Sequence, residues 1–336
     1  MKIKFYESVD DNLLKFAVII SKSMGKWVFC KHSERDTFEI PGGHREPEES
    51  ILDTARRELK EETGAIEFNI RPVCVYSVTG KNDVNKSGEE TFGMLFFSEI
   101  YSFEAELHSE MEKIVFFDSQ PAAMTYPLIQ PFLIEEFEKR NKMKTDVYEC
   151  CPIFENDKYL LRFVSEDDCN DLLKVYSDVK AVPFFNSDNC GGDDFHYTTE
   201  ARMQEAIKYW IWEYEQKGFV RWSIVDKSRK EIIGTIELFH RDEKDYFTDC
   251  GLLRLDVRSD YEIETEIHKI LSLVLRSTFD MFTCSMIATK IVPEAVERIK
   301  AVEKMSFEAR DEKLVGHDGT EYGFYYALKE GDWFSN

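Results

Sequence analysis

Long apolar runs are missing from this chain. Nowhere do about 18 hydrophobic residues stand together, which excludes a membrane-spanning helix. The opening stretch "MKIKFYESVDD" has no apolar segment of the kind a secretory leader needs, so no leader is expected. Basic residues are scarce: 43 Lys and Arg stand against 65 Asp and Glu, a formal net charge of −22. That balance excludes a basic nucleic-acid groove and a polybasic membrane patch, and otherwise favours solubility. Cysteine is unpatterned. The eight residues include no C-x-x-C and no His-paired zinc spacing, and Cys150 beside Cys151 is not a usual disulfide arrangement. They are read as reduced thiols in a cytoplasmic protein. Neither an internal repeat nor a low-complexity tract is visible.

What is present suffices for folded cores. A hydrophobic fraction of 43% over 336 residues suggests two domains. Residues 13–21 and 26–32 read as strands joined by a turn at Gly25. Residues 48–62 read as a helix with Ser50 near its start and Gly64 just past its end. Strands are expected at 71–79, 91–100 and 113–118, and an amphipathic helix at 128–139. "KRNKMKTD", residues 139–146, is polar and locally basic, and marks the domain boundary. The expected division is 1–142, a linker at 143–149, and 150–336. The second half again mixes strands and helices, so the fold class is a two-domain α+β or α/β chain.

The segment "PGGHREPEESILDTARRELKEETG" sets Glu58, Glu61 and Glu62 at i, i+3 and i+4, on one helix face. Three neighbouring carboxylates invite a divalent cation, and Mg²⁺ or Mn²⁺ takes oxygen ligands. For a generic E-x-x-E-E the plainer reading is a solvated acidic face. Here the surroundings decide. Gly43, then Glu49, then "RELKEETGA" reproduce the pattern G-x5-E-x7-R-E-U-x-E-E-x-G-U at every fixed position, with only Ala65 smaller than usual. Seven fixed residues arise by chance in about one chain in a million at average usage. This half therefore resembles the Nudix hydrolases.

The resemblance implies an α/β/α sandwich with a mixed sheet, and roles for named residues. Glu58, Glu61, Glu62 and the Gly43 carbonyl would hold Mg²⁺ or Mn²⁺ on a substrate diphosphate. Arg57 would pair with Glu49 to pin loop to helix, and Gly64 would end that helix. Gly42 and Gly43, in a tight turn after Pro41, would bring the backbone close to the diphosphate. Glu110, preferred over Glu112, would act as the base. "FEIPGG" resembles the branch that cleans up oxidised nucleoside triphosphates such as 8-oxo-dGTP. Phe38, Tyr76 and Phe97 are candidates to stack a base, with a core role the plainer alternative.

The second half resembles the GNAT acetyltransferases, through "LLRFVSEDDCNDLLKVY", "FVRWSIVDKSRKEIIGTIEL" and "KIVPEAVERIKAVEKMSFEAR". That implies a mixed sheet flanked by helices. The family's Q/R-x-x-G-x-G/A loop, which cradles the CoA pyrophosphate, is held here by "RSDYEIETE". Tyr261 and Ile263 replace the small residues, and Glu262, Glu264 and Glu266 add charge. An unrelated α+β domain is the alternative. The expected function is a metal-dependent hydrolase of a small nucleotide substrate, with a GNAT-like scaffold or binding module. A bifunctional hydrolase–acyltransferase and a non-catalytic nucleotide sensor are the competitors. No nucleic-acid or membrane partner is expected, and a homodimer is left open.

Overall fold

The computed structural model describes residues 1–81, 86–107, 110–141 and 146–333. The chain forms two compact units, Met1–Thr145 with Glu155–Asp157, and Asp146–Phe154 with Lys158–Asn336. The expected linker at 143–149 falls partly on residues outside those described.

The first unit carries β1 (Lys2–Tyr6), β2 (Leu14–Ser23), β3 (Lys26–His32), β4 (Gly42–His44), α1 (Ile51–Thr63), β5 (Ala65–Thr79), β6 (Thr91–Phe103), β7 (Met111–Phe117) and α2 (Gln130–Asn141). β2 runs parallel to β6 and antiparallel to β3 and β4; β5 is antiparallel to β1 and β6. The sheet is thus mixed. Strand alternation puts the helices on opposite faces. On β3, Phe29 joins the cluster containing Leu133, Ile134 and Phe137 of α2. Its neighbour Cys30 points the other way, its thiol reaching the Glu62 carbonyl of α1 at 3.4 Å. This is an α/β/α sandwich.

α1 begins where Ser50 Oγ accepts the Asp53 N–H at 3.1 Å. It ends at Gly64, whose φ of 69° is left-handed and whose N–H reaches the Lys60 carbonyl. Two segments differ from the sequence reading. β5 starts at Ala65 rather than near 71, because its register shifts between Ala65 and Phe68 break the period-two pattern. The Pro41–Gly43 segment is not a tight turn: Gly42–His44 is a short strand, with Val18 opposite Gly42 and Phe16 opposite His44. Gly42 lies so close to the Ala17 carbonyl that only glycine fits there.

The second unit continues with β8 (Ile153–Glu155), β9 (Tyr159–Phe163), α3 (Cys169–Tyr176), α4 (Glu200–Glu215), β10 (Val220–Asp226), β11 (Glu231–Arg241), β12 (Cys250–Val257), α5 (Glu264–Phe282), β13 (Met286–Lys290), α6 (Val296–Glu303), β14 (Glu308–Ala309), β15 (Leu314–Val315), β16 (Glu321–Tyr322), β17 (Tyr325–Lys329) and α7 (Glu330–Trp333). Its sheet runs β9-β10-β11-β12-β13-β17-β14. Among the described residues of this sheet only β12 and β13 are parallel neighbours, and α5 makes the crossover between them. Val220, Trp222 and Ile224 of β10 pack with α5 and α6, while α3 and α4 build a second cluster around Tyr176 and Trp210. A mixed sheet with helices on both faces is the architecture expected for this half. All eight cysteines are free thiols. Among the described residues, no helix is long and apolar enough to cross a membrane.

Candidate active site

α1 turns one acidic edge toward β4. Glu58 and Glu62 are buried, at 9% and 8% exposure, while the Glu61 side chain is half exposed. Gly43 lies against Glu58, where a Cβ would overlap the carboxylate. Glu62 accepts the Gly42 N–H at 3.0 Å. Arg57 organises the rest. Its Nε and Nη2 meet the two Glu49 oxygens at 2.8 and 3.1 Å, and Nη2 also donates to the His44 carbonyl at 3.0 Å. Its Nη1 reaches Glu58 at 2.8 Å and Glu61 at 3.2 Å. Glu49 further accepts the Glu46 N–H and the Thr54 hydroxyl. The loop from 43 to 49 is thereby fastened to α1.

The electrostatics follow this layout. Arg57 holds the Glu49 carboxyl down at about 2. Burial pushes Glu58 up, against the pull of Arg57. Burial pushes Glu62 up to about 8, and Glu58, Glu39 and Glu110 add to the rise. An excess of carboxylate over cation in a buried place is chemistry suited to a hard divalent ion. Among the described residues, however, no three His, Cys, Asp or Glu side chains converge on one point. Arg57 stands between Glu58 and Glu61 instead. The residue types and the glycine cradle fit a hard divalent ion, for which Glu58, Glu61, Glu62 and the Gly43 carbonyl would be the candidate ligands.

A cleft of about 460 Å³ opens beside this edge. Gly42, Gly43, Glu62 and Glu110 line it, together with Phe16, Tyr76 and Gln130. The structure therefore gathers Gly42, Gly43, Glu62, Glu110 and Tyr76 around one space. Phe38 packs its ring edge-on against Phe117 at 5.0 Å, and Phe97 stacks on Phe137 at 4.8 Å. Glu112 pairs with Lys31. Among the lining residues that the sequence reading did not single out are Arg35, Glu39 and Gln130. Glu39 is buried between two apolar neighbours and pairs with Arg35 at 3.2 Å. Gln130 had a legible signal. It begins the buried stripe Leu133, Ile134 and Phe137 of α2, where a polar residue is out of pattern.

In the second unit, the start of α5 is closed by its own chain. Glu297 accepts the Glu264 N–H at 3.2 Å. Tyr261 is buried and donates to Asp226 at 2.9 Å. The acids expected to repel an anion are each paired: Glu262 with Arg298 at 2.6 Å, Glu266 with Lys158 at 2.7 Å, and Glu264 with Lys304. At this helix start the Glu264 N–H is thus already engaged and the acids are paired with cations. Elsewhere in this unit a cleft of about 820 Å³ has Arg221, Glu237 and Arg254 in its lining. Burial would raise Glu237, but Arg221 and Arg254 outweigh it and hold the carboxyl below its ordinary range.

Residues 12–124 match the family model described as NUDIX domain, and this part of the chain is a NUDIX domain. A curated relative from Bacillus subtilis (strain 168), named "Putative 8-oxo-dGTP diphosphatase YtkD", is 40% identical over 70 residues. The match covers 21% of this chain and 44% of that protein, so the chain spans less than half of the relative's length. Among solved structures, the Bacillus subtilis pyrophosphohydrolase BsRppH is similar at 23% identity, with a TM-score of 0.35, over 41% of this chain and 90% of its own. A spermidine N-acetyltransferase from Vibrio cholerae, solved with CoA and spermine, is similar at 13% identity, with a TM-score of 0.40, over 53% of this chain and 99% of its own.

Proposed function

We propose that the first unit is a divalent-metal-dependent pyrophosphohydrolase acting on a nucleoside diphosphate derivative, with a nucleoside triphosphate, including oxidised forms, as the preferred class. The observation that carries this reading is the α1 edge: Glu58 buried against Gly43 and Glu62 against Gly42, with Gly42, Gly43 and Glu62 lining a cleft large enough for a nucleotide portion. The bound Mg²⁺ or Mn²⁺ would neutralise phosphate oxygens and lower the pKa of a water. The chain's own residues do the positioning. Arg57 and Glu49 fix the β4 loop to α1, so that the Gly42–Gly43 backbone and the carboxylates keep one geometry. Glu110 faces the same cleft and is the candidate to take the proton of the attacking water. The partner is a small molecule, and the relative's name supports the nucleotide-sanitising branch.

For the second unit the proposed role is a scaffold or a binding module without acyl transfer. Tyr261 and Ile263 stand where a CoA loop needs small residues, and Glu297 holds the α5 N-terminus. The test for the whole reading is a substrate panel on the full chain with Mg²⁺ or Mn²⁺. It comprises dNTPs, 8-oxo-dGTP, ADP-ribose, NADH and dinucleoside polyphosphates, with products identified. Cleavage of a phosphoanhydride in a nucleoside triphosphate is expected. A clear preference for ADP-ribose would overturn the substrate class, and inactivity on every compound would overturn the hydrolase.

A further inference from the structure

Away from the cleft, the back of α1 carries an ion cluster around a buried acid. At 3.6 residues per turn, Arg56 and Lys60 stand about 160° around the helix from Glu58 and Glu62. Both reach one carboxylate, that of Glu155, which is fully buried. Arg56 donates from Nε to one oxygen at 2.7 Å, and its Nη2 lies 2.6 Å from the same atom. Lys60 takes the other oxygen. Arg56 also pairs with Asp53 at 3.1 Å, in the first turn of the helix. Glu155 lies 95 residues beyond Lys60 and outside the residues 12–124 that match the NUDIX model. By its contacts it belongs to the first unit.

A buried carboxylate between two cations is a poor way to add stability, because desolvation cancels much of the attraction. What such a cluster supplies is direction. Its two cations stand one turn apart, so Glu155 holds the helix at two points and resists a roll about its axis. Side chains end about 5 to 6 Å from a helix axis, so a roll of about 10° moves a carboxylate by about 1 Å. A misplacement of that size can cost about a hundredfold in rate. Across the helix from this anchor, Gly43 lies against Glu58 and Gly42 donates to Glu62. Little room is left there for the carboxylates to shift unharmed. Arg56, Lys60 and Glu155 do not line the cleft.

We infer that Glu155 is a positioning residue for the proposed hydrolysis: through Arg56 and Lys60 it fixes the roll of α1, and with it the place of Glu58, Glu61 and Glu62. This rests on the hydrolase reading given above. A residue beyond the NUDIX match thereby completes the geometry of its acidic helix. The cluster acts from behind the helix, so it governs turnover and the holding of a divalent ion, and leaves nucleotide binding in the cleft nearly untouched.

The test uses the full chain with Mg²⁺, on whichever of dGTP, 8-oxo-dGTP and ADP-ribose it cleaves fastest. Glu155→Gln keeps the shape and removes the charge. It is expected to lower kcat at least about tenfold while KM stays within about threefold. Glu155→Asp keeps the charge and is expected to turn over at least about threefold faster than Glu155→Gln. Mn²⁺ binding without nucleotide, followed by electron paramagnetic resonance, should weaken at least about threefold in Glu155→Gln. An unchanged kcat, or an unchanged Mn²⁺ affinity, in a folded Glu155→Gln would overturn the inference. So would a loss of rate that vanishes on cooling well below the variant's melting temperature, since that would reduce Glu155 to a packing role. Should Glu155→Gln not fold, Arg56→Lys and Lys60→Gln carry the test, because each leaves the buried carboxylate a cation. Each is expected to lower kcat at least about threefold, and an unchanged kcat in both overturns the inference while leaving the hydrolase intact. No hydrolysis of any of the three compounds by the unaltered protein would remove the hydrolase reading itself, and the inference with it.

Discussion

Glu62 illustrates how one side chain can be both structural and chemical. Its carboxylate takes the Gly42 N–H, yet burial and neighbouring acids push its pKa up to about 8. Beyond that hydrogen bond, a positive charge placed beside it would favour the ionised form. Replacing Glu61 or Glu62 by Gln is expected to lower hydrolysis at least about a hundredfold, with little change in melting temperature. Steady-state rates on the best substrate check this; near-full activity in both variants would remove the α1 edge from the reaction. Glu49 lends itself to a different experiment. Its carboxyl sits at about 2 instead of the ordinary 4.5, chiefly through Arg57. A lowered pKa contributes stability above pH 4.5, and that contribution fades as pH falls through 2. Melting temperatures of the unaltered protein and Glu49→Gln should therefore differ at pH 7 and draw together toward pH 2. A constant gap across that window would contradict the assignment.

At the scale of elements, the end of α1 sets the direction of everything after it. Gly64 at φ 69° turns the chain from helix directly into β5. A Cβ there would sit in the left-handed region and press on Leu107 at 3.0 Å. Gly64→Ala is expected to destabilise the first unit by about 1 to 2 kcal/mol, readable as a lower denaturation midpoint. This stop was legible in the sequence because helix ends follow local rules. The pair β10 and β11 was equally legible, since two apolar segments flank a short polar turn, whereas the two- and three-residue strands β8, β14, β15 and β16 left no pattern. What escaped was set by partners distant in sequence. β4 is a strand only because β2 lies beside it, and no pattern in "GGH" announces that. The start of β5 was hidden by its register shifts. At the candidate site, the spacing in residues 43–64 announced the carboxylates. The rest of the cleft is assembled from several elements: Tyr76 was a named candidate and Gln130 left a trace as an out-of-pattern residue, while Phe16, Arg35 and Glu39 left none.

For the molecule as a whole, the two units carry unequal evidence of chemistry. The first has a NUDIX domain and a cleft lined by Gly42, Gly43, Glu62 and Glu110. The second has its α5 N-terminus bonded to Glu297 and its acids matched to cations. Calorimetry on the full chain with acetyl-CoA should give a dissociation constant weaker than about 50 μM, short of the roughly 8 kcal/mol of a micromolar site. Tighter binding would favour the bifunctional reading instead.

Arg57 has a consequence for the proposed dependence on a divalent ion. With Nη1 shared between Glu58 and Glu61, the helix already holds a resident counter-charge. Folding and metal loading are then separable events, unlike domains that collapse when stripped by a chelator. Excess EDTA should silence hydrolysis while leaving the thermal transition within a few degrees of its starting value, and added Mg²⁺ should restore the rate without a refolding lag. Availability of the ion would then act as a throttle on an enzyme that is always assembled.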